Sequence, residues 1–314
     1  MPRAALIRPL TITAFSLCLV VVVLGAYVRL SAAGLSCPDW PGCYGHFSPA
    51  GSANDASAAA IDMGKAWKEM LHRYGAATLG VLIIIIASLA IQYRRERVVA
   101  PAYAVALVAL VVTQGIFGML TVTKQLEPAI VTTHLLFGMT TLALLWWLVL
   151  TITRQRATAW RGSTAYLGSS LPRTRRLAWL GLIMLAVQLA LGGWTSSHYA
   201  ATACPDFPTC QGQWWPAMTG PVGIHFAHRL GALCTAALLL LAAARVLRSR
   251  TDAFARRAAI AVLAALALQL LIGISMVLRG FPLWLATAHN AGAALLLLAV
   301  VALVRSLRPT WKPS

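Results

Sequence analysis

Apolar residues fill eight long stretches of the chain, separated by polar or charged connections. They lie near residues 10–28, 70–92, 102–122, 129–151, 177–195, 223–244, 258–278 and 284–304. Each is close to the ~20 residues that a helix needs to cross a hydrocarbon core. Because lipid offers no hydrogen-bond partners, a spanning segment must satisfy its backbone internally, so we predict eight transmembrane α-helices.

The composition agrees with a membrane protein, since 59% of residues are hydrophobic and 11% are charged. The net charge of +18 would suggest nucleic-acid binding in a soluble chain. Here the 26 lysines and arginines mostly flank the spans, at both termini and in the connections 2–3, 4–5 and 6–7. We therefore expect the lipid bilayer, and no nucleic acid, as the partner of this charge. The positive-inside rule then places both termini in the cytoplasm.

The N-terminus also has features of a secretory signal peptide, with basic residues, an apolar run and "SAAG" at 31–34. The run is long for such a peptide, and residues 177–195 form an internal counterpart to it. We therefore predict that the first segment is a helix.

A cysteine loop occurs twice, as "SCPDWPGC" at 36–43 and "ACPDFPTC" at 203–210, 167 positions apart. Three further pairs repeat at offsets of 155 or 156: "LHRYGA" (71–76) with "AHRLGA" (227–232), "QGIFG" (114–118) with "QLLIG" (269–273), and "TTH" (132–134) with "TAH" (287–289). We predict an all-α integral membrane protein made of two tandem four-helix bundles, related by a pseudo-two-fold axis along the membrane normal. The halves are 1–152 and 177–314, joined by a basic linker at 153–176.

Four histidines, His72, His134, His228 and His289, begin the second, fourth, sixth and eighth segments at a similar depth near the outer face. Paired histidines on facing helices of a bundle can ligate a haem iron from both sides. A single histidine near a helix end is more often a hydrogen-bonding residue. Four at repeated spacing favour two haem sites. Glycines 75, 138, 231 and 292 follow on the same helix face and would leave room for a flat ligand.

The two halves differ three residues before the first histidine of each pair, where Glu69 stands in one and His225 in the other. A carboxylate beside a ligand can act as a general base or stabilise positive charge, although a solvated helix-start residue is an equal alternative. We expect His225 to contact a propionate or the interface. Arg73 and Arg229 could bind haem propionates or anchor the interface. Three glutamines, Gln114, Gln188 and Gln269, are interpreted as helix-packing residues.

Four cysteines lie in the two predicted outer loops, where an oxidising exterior permits disulfides. The pairs are Cys37 with Cys43 and Cys204 with Cys210. Structural crosslinks are the first interpretation, and a redox relay through exposed, labile disulfides is the alternative.

These motifs together resemble the haem A synthase family, in its cysteine-bearing bacterial branch. The resemblance covers nearly the whole chain and is carried by "GAYVRLSAAGLSCPDWPGC" (25–43), "EMLHR" (69–73), "TTHLLFG" (132–138), "HFAHR" (225–229) and "TAHN" (287–290).

The resemblance implies an enzyme that oxidises a methyl group of haem O to the formyl group of haem A in the bacterial inner membrane. It assigns Glu69, His72 and His134 to the substrate haem, and His228 and His289 to a haem b cofactor. It suggests haem O synthase as a partner and leaves the electron partner unidentified. A non-catalytic b-type cytochrome and a haem carrier remain alternatives, which extraction of the bound pigments would distinguish.

The orientation can be tested by labelling cysteines with an impermeant reagent after reduction. We expect Cys37 and Cys204 to be labelled from outside, because the basic connections hold the opposite side in the cytoplasm. Labelling only from the cytoplasmic side would reverse the topology.

Overall fold

The protein is α-helical, and the computed structural model describes residues 6–54, 62–96, 98–161 and 172–308, with backbone alone at 52–54 and 154–161. Its helices are α1 (Ile7–Leu30), α2 (Met63–Gln92), α3 (Pro101–Thr123), α4 (Pro128–Arg161), α5 (Pro172–Ser197), α6 (Gly220–Arg248), α7 (Ala253–Leu278) and α8 (Leu283–Ser306). Within the described ranges, eight helices are long and apolar enough to span a membrane. The prediction of eight spanning helices is therefore confirmed, including α1.

Helix starts follow from local chemistry. Asp62 precedes α2 and accepts a hydrogen bond from the backbone N–H of Lys65 at 3.0 Å, and Asp252 does the same for Ala255 at 2.7 Å before α7. Such side-chain oxygens satisfy N–H groups that a helix leaves unpaired at its first turn. Proline is the first residue of α3, α4 and α5, where its missing N–H costs nothing.

The chain divides into two units between residues 145 and 146, inside α4. In the first unit, α2 packs against α1 and α3. The hydroxyl of Tyr103 in α3 donates to the carbonyl of Leu144 in α4 at 2.6 Å, and the rings of Phe117 and Phe137 meet edge to face. In the second unit each of α5 to α8 packs against two of the others, so these four helices form a closed bundle.

Both units contain the same irregular backbone features at the offsets of the sequence repeat. Ala32 and Tyr199, 167 positions apart, have positive φ angles of 51° and 55° just after α1 and α5. After α3 and α7, the positive-φ pair is Gln125–Leu126 in one unit and Gly280–Phe281 in the other. Isolated antiparallel β-bridges join Cys43 to His46 and Cys210 to Gln213. The duplication thus extends to the loop conformations.

The predicted symmetry axis and domain limits stay predictions. Part of the predicted linker at 153–176, residues 162–171, lies outside the described residues, while α4 continues to Arg161 and α5 begins at Pro172.

Candidate functional site

The four histidines occupy matching positions near the starts of the even-numbered helices. Each lies within the first ten residues of its helix, which are α2, α4, α6 and α8. The rings of His228 and His289 lie edge to face, with their centres 6.5 Å apart and their planes at 78°. His72 lies close enough to His134 to interact with it electrostatically. The structure therefore brings together the two pairs that the sequence predicts, one in each unit.

Each histidine ring packs against a glycine of the helix that precedes it in the chain. A Cβ atom on Gly25 would lie 2.7 Å from Cε1 of His72, and one on Gly192 would lie 3.0 Å from Cε1 of His228. Gly118 and Gly273 have the same relation to His134 and His289, at 3.3 and 3.0 Å. A side chain at Gly25 would force the ring of His72 to shift, and at the other three positions the ring would have to give by a few tenths of an ångström, so the four glycines help to set the position of each ring.

The contact of these glycines with the histidines was not predicted from the sequence, although the repeat contains the signal. Gly25 and Gly192 are 167 positions apart, and Gly118 and Gly273 are 155 apart. The glycines that we expected to make room for a ligand have other neighbours. Cβ atoms added to Gly231 and Gly292 would lie 2.3 Å from the side-chain oxygens of Gln188 and Gln269. That expectation was wrong at both positions, because a carboxamide fills the space.

The glutamines, interpreted from the sequence as packing residues, contact the histidines directly. The carboxamide nitrogen of Gln188 donates to the backbone carbonyl of His228 at 3.0 Å and lies 3.0 Å from Nδ1 of its ring. Gln269 donates to the carbonyl of His289 at 3.0 Å, and Gln114 to that of His134 at 3.1 Å. The packing interpretation is incomplete, since these side chains lie against the ring nitrogens.

Both cysteine pairs are disulfides, Cys37–Cys43 and Cys204–Cys210, as predicted. All four cysteines have no exposed surface. The first disulfide packs on Ala66 and Met70, and the second packs on Phe226. The redox alternative rested on exposed disulfides, and that premise is wrong. The burial supports the structural interpretation.

Arg73 fastens the first cysteine loop to α2. Its Nη1 donates to the carbonyl of Asp39 at 2.8 Å and also bonds the carbonyl of Gly42, and its Nη2 pairs with Oε1 of Glu69 at 2.6 Å. The other oxygen of Glu69 accepts from the N–H of Cys37 at 2.9 Å. The buried Glu69 carboxylate is therefore a loop anchor in this structure, whatever else it does.

Arg229 fastens the second loop in the same way. It donates to the carbonyls of Thr209 at 2.7 Å and of Cys204 and Asp206, both at 2.9 Å. Its Nε donates to Nε2 of His225 at 3.2 Å. The donors that we expected to bind a propionate are thus occupied by loop oxygens and by His225. Glu69 and His225 take the same place in the two halves: Arg73 forms an ion pair with Glu69, and Arg229 donates a hydrogen bond to the imidazole of His225.

An aspartate organises each loop from within. Asp206 accepts from the N–H groups of Gln211 at 2.7 Å and Gly212 at 3.0 Å, and from the hydroxyl of Thr209. The hydroxyl of Thr209 and these N–H groups lower the pKa of Asp206 to about 2. Asp39 bonds Tyr44 and Gly45 alike, at 2.6 and 2.9 Å.

The geometry defines a class of protein: a multi-pass membrane protein with a pair of histidines between helices of each unit and a disulfide loop packed on α2 and on α6. The chain matches the family of cytochrome oxidase assembly proteins over residues 8–301. It is 38% identical over 313 residues to a haem A synthase of Shewanella oneidensis, covering 90% of this chain and 91% of that protein. It is 29% identical to a haem A synthase of Halalkalibacterium halodurans, over 86% of each chain. The chain therefore belongs to the haem A synthase family.

Acid should loosen the second loop before it disturbs the helices. Asp206 has an unfolded-state pKa of about 3.9 and a lower one in the loop, so its contribution is present above about pH 4 and is lost as pH falls through about 2. Hydrogen exchange at Gln211 and Gly212, corrected for intrinsic rates, should lose protection across that window. In Asp206→Asn the protection should not change with pH in this range. Equal protection of the wild-type amides throughout the window would contradict the assignment.

Proposed function

We propose that this protein converts haem O to haem A in a bacterial plasma membrane, with one pair of histidines for the substrate haem and the other for a haem b. The observation that carries the proposal is the close approach of the rings of His228 and His289, whose centres are 6.5 Å apart. Two imidazoles bound to one metal ion through bonds of about 2 Å have ring centres about 6 Å apart. The relatives are named as synthases, which favours an enzyme over a cytochrome or a carrier.

The residues present fit a haem better than a compact metal site. In the described ranges, no group of three or more His, Cys, Asp or Glu residues is placed to hold a metal ion. A haem needs only two axial ligands from the protein. Nδ1 of His72 and Nδ1 of His134 are buried without a hydrogen-bond partner. Such unpartnered nitrogens are costly unless a ligand or water satisfies them.

The two pairs are proposed to have different tasks. His228 and His289 would hold haem b, which when bound supplies a one-electron redox couple. His72 and His134 would hold the substrate haem and orient its methyl group. Glu69 lies one helical turn before His72, and its carboxylate would accept the proton released as the methyl group is oxidised. The pair with Arg73 would keep this carboxylate at a fixed position beside the substrate.

The membrane topology belongs to the same proposal. Both termini would face the cytoplasm, and the histidines and disulfide loops would lie on the outer side. The basic connections support this orientation. Haem O synthase is the proposed source of the substrate, and the electron partner is not assigned.

Removing one axial ligand should separate the two sites. His228→Ala and His289→Ala should each abolish most of the b-type absorbance of the purified protein, because haem b loses half of its protein ligands. Haem extraction and chromatography will show which haem is lost. A variant His228→Ala that keeps its haem b while His72→Ala loses it would reverse the assignment of the halves.

Glu69→Gln tests the carboxylate while keeping an oxygen for the N–H of Cys37. If Glu69 acts as a base, haem A formation should fall by about 100-fold or more with the b-type spectrum unchanged. Arg73→Gln is the comparison, since it breaks the same ion pair, and also the bonds to the loop carbonyls of Asp39 and Gly42, but leaves the carboxylate. It should lower haem A formation much less. Equal losses in both variants, with the Cys37–Cys43 loop equally susceptible to reductant, would make Glu69 a loop anchor only.

A further inference from the structure

Three of the four histidines have a glutamine against the ring, and the fourth does not. Gln188 approaches His228 at 3.0 Å, Gln269 approaches both ring nitrogens of His289 at 3.3 Å, and Gln114 lies 3.5 Å from Nε2 of His134. Each glutamine comes from the preceding helix of the same unit. The glutamine that would accompany His72 should stand 167 positions before Gln188, and Val21 occupies that place.

The space for the missing glutamine is still present. Gly231 and Gly292 leave room for Gln188 and Gln269, and Gly138 lies beside Gln114. In the first unit the corresponding glycine is Gly75, where an added Cβ would lie 2.9 Å from a methyl group of Val21. The close contact at the glycine is therefore retained, but the side chain that makes it is the apolar Val21 instead of a glutamine. His72 is consequently left without the carboxamide contact that the other three rings have.

A carboxamide at this position can orient a metal ligand. A histidine that binds metal through one ring nitrogen usually donates its other N–H to an acceptor, which fixes the ring and strengthens the ligand. The side-chain oxygens of Gln114, Gln188 and Gln269 are all buried without a partner. Rotation about the broad terminal torsion of glutamine exchanges oxygen and nitrogen. In Gln188 this rotation brings the unused acceptor to the position 3.0 Å from Nδ1 of His228, in exchange for the N–H donation to the backbone carbonyl of His228.

We propose that Gln188 and Gln269 are positioning residues that fix both ligands of the C-terminal pair, whereas in the N-terminal pair Gln114 fixes only His134 and the valine at position 21 leaves His72 as the releasable ligand. This inference rests on the proposed function. It explains how one duplicated site can retain a cofactor while its copy exchanges a substrate and product of the same chemical class. The difference is one side chain on α1, outside the histidines and Glu69.

The first experiment weakens the C-terminal site, which is proposed to retain haem b. Gln188→Leu has similar volume but no hydrogen-bonding group, and Gln188→Glu keeps an acceptor oxygen. Loss of an outer partner of a metal ligand typically costs about 10- to 100-fold in affinity. Purified Gln188→Leu should therefore release haem b to an excess of apomyoglobin at least about 10-fold faster than wild type. Gln188→Glu should stay near the wild-type rate, and the low-spin absorbance and midpoint potential should change in Gln188→Leu alone.

The second experiment strengthens the N-terminal site, which is proposed to exchange substrate and product. Val21→Gln introduces a carboxamide beside Gly75, and Val21→Leu is the control for side-chain size. The protein is purified from cells that make haem O, and its haems are extracted and separated, so that the ratio of haem O and haem A to haem b reports the first site. Val21→Gln should raise this ratio and slow release of those haems to apomyoglobin by about 10-fold. Val21→Leu should do neither.

The outcomes distinguish this inference from the proposed function. Equal haem b release in wild type, Gln188→Leu and Gln188→Glu would overturn the positioning role. Unchanged or faster release of haem O and haem A in Val21→Gln would overturn the role of position 21. Wild-type protein that carries haem b and makes haem A in those experiments would leave the proposed function standing. Wild-type protein without haem b would overturn the proposed function itself.

Discussion

Close approach of glycine backbone to imidazole is the constraint on which the rest of the structure depends. The glycine is on the odd-numbered helix and the histidine on the next, and the contact recurs in all four helix pairs. In lipid there is little hydrophobic gain from bringing helices together, so packing and polar contacts must hold them. The glycine contact determines both the spacing of each helix pair and the position of the ring.

The sequence predicted most of the fold because its signals are local. Eight apolar stretches, a repeated cysteine loop and four histidines at a fixed spacing need no tertiary information. The disulfide partners also follow from short spacing and compartment. The contacts of Gln188, Arg229 and Gly192 could not be predicted as easily, because each depends on which faces of two helices meet. A residue such as Arg229 has the same chemistry toward a propionate as toward a row of carbonyls, and only the loop conformation decides between them.

The differences between the halves are few and concentrated around the same histidine. Position 69 holds a glutamate and position 225 a histidine, yet both side chains contact the arginine four residues later. Position 21 is valine and position 188 is glutamine, yet both lie against a glycine of the next helix. A duplicated framework has thus been kept while two contacts near His72 have changed. We expected chemistry at the half with the carboxylate, and the second difference lies at that same histidine.

Burial of the disulfides has a consequence for biogenesis. Cys37, Cys43, Cys204 and Cys210 are shielded from solvent once their loops lie on α2 and α6. An oxidoreductase could reach these thiols only before the loops dock, so oxidation must precede docking. A host strain that lacks thiol-oxidising capacity outside the cytoplasm would then accumulate chains whose helices are inserted but whose loops never close over the histidines. With the proposed orientation of the loops, maturation of this protein would depend on thiol oxidation outside the cytoplasm even though its proposed chemistry concerns only haem.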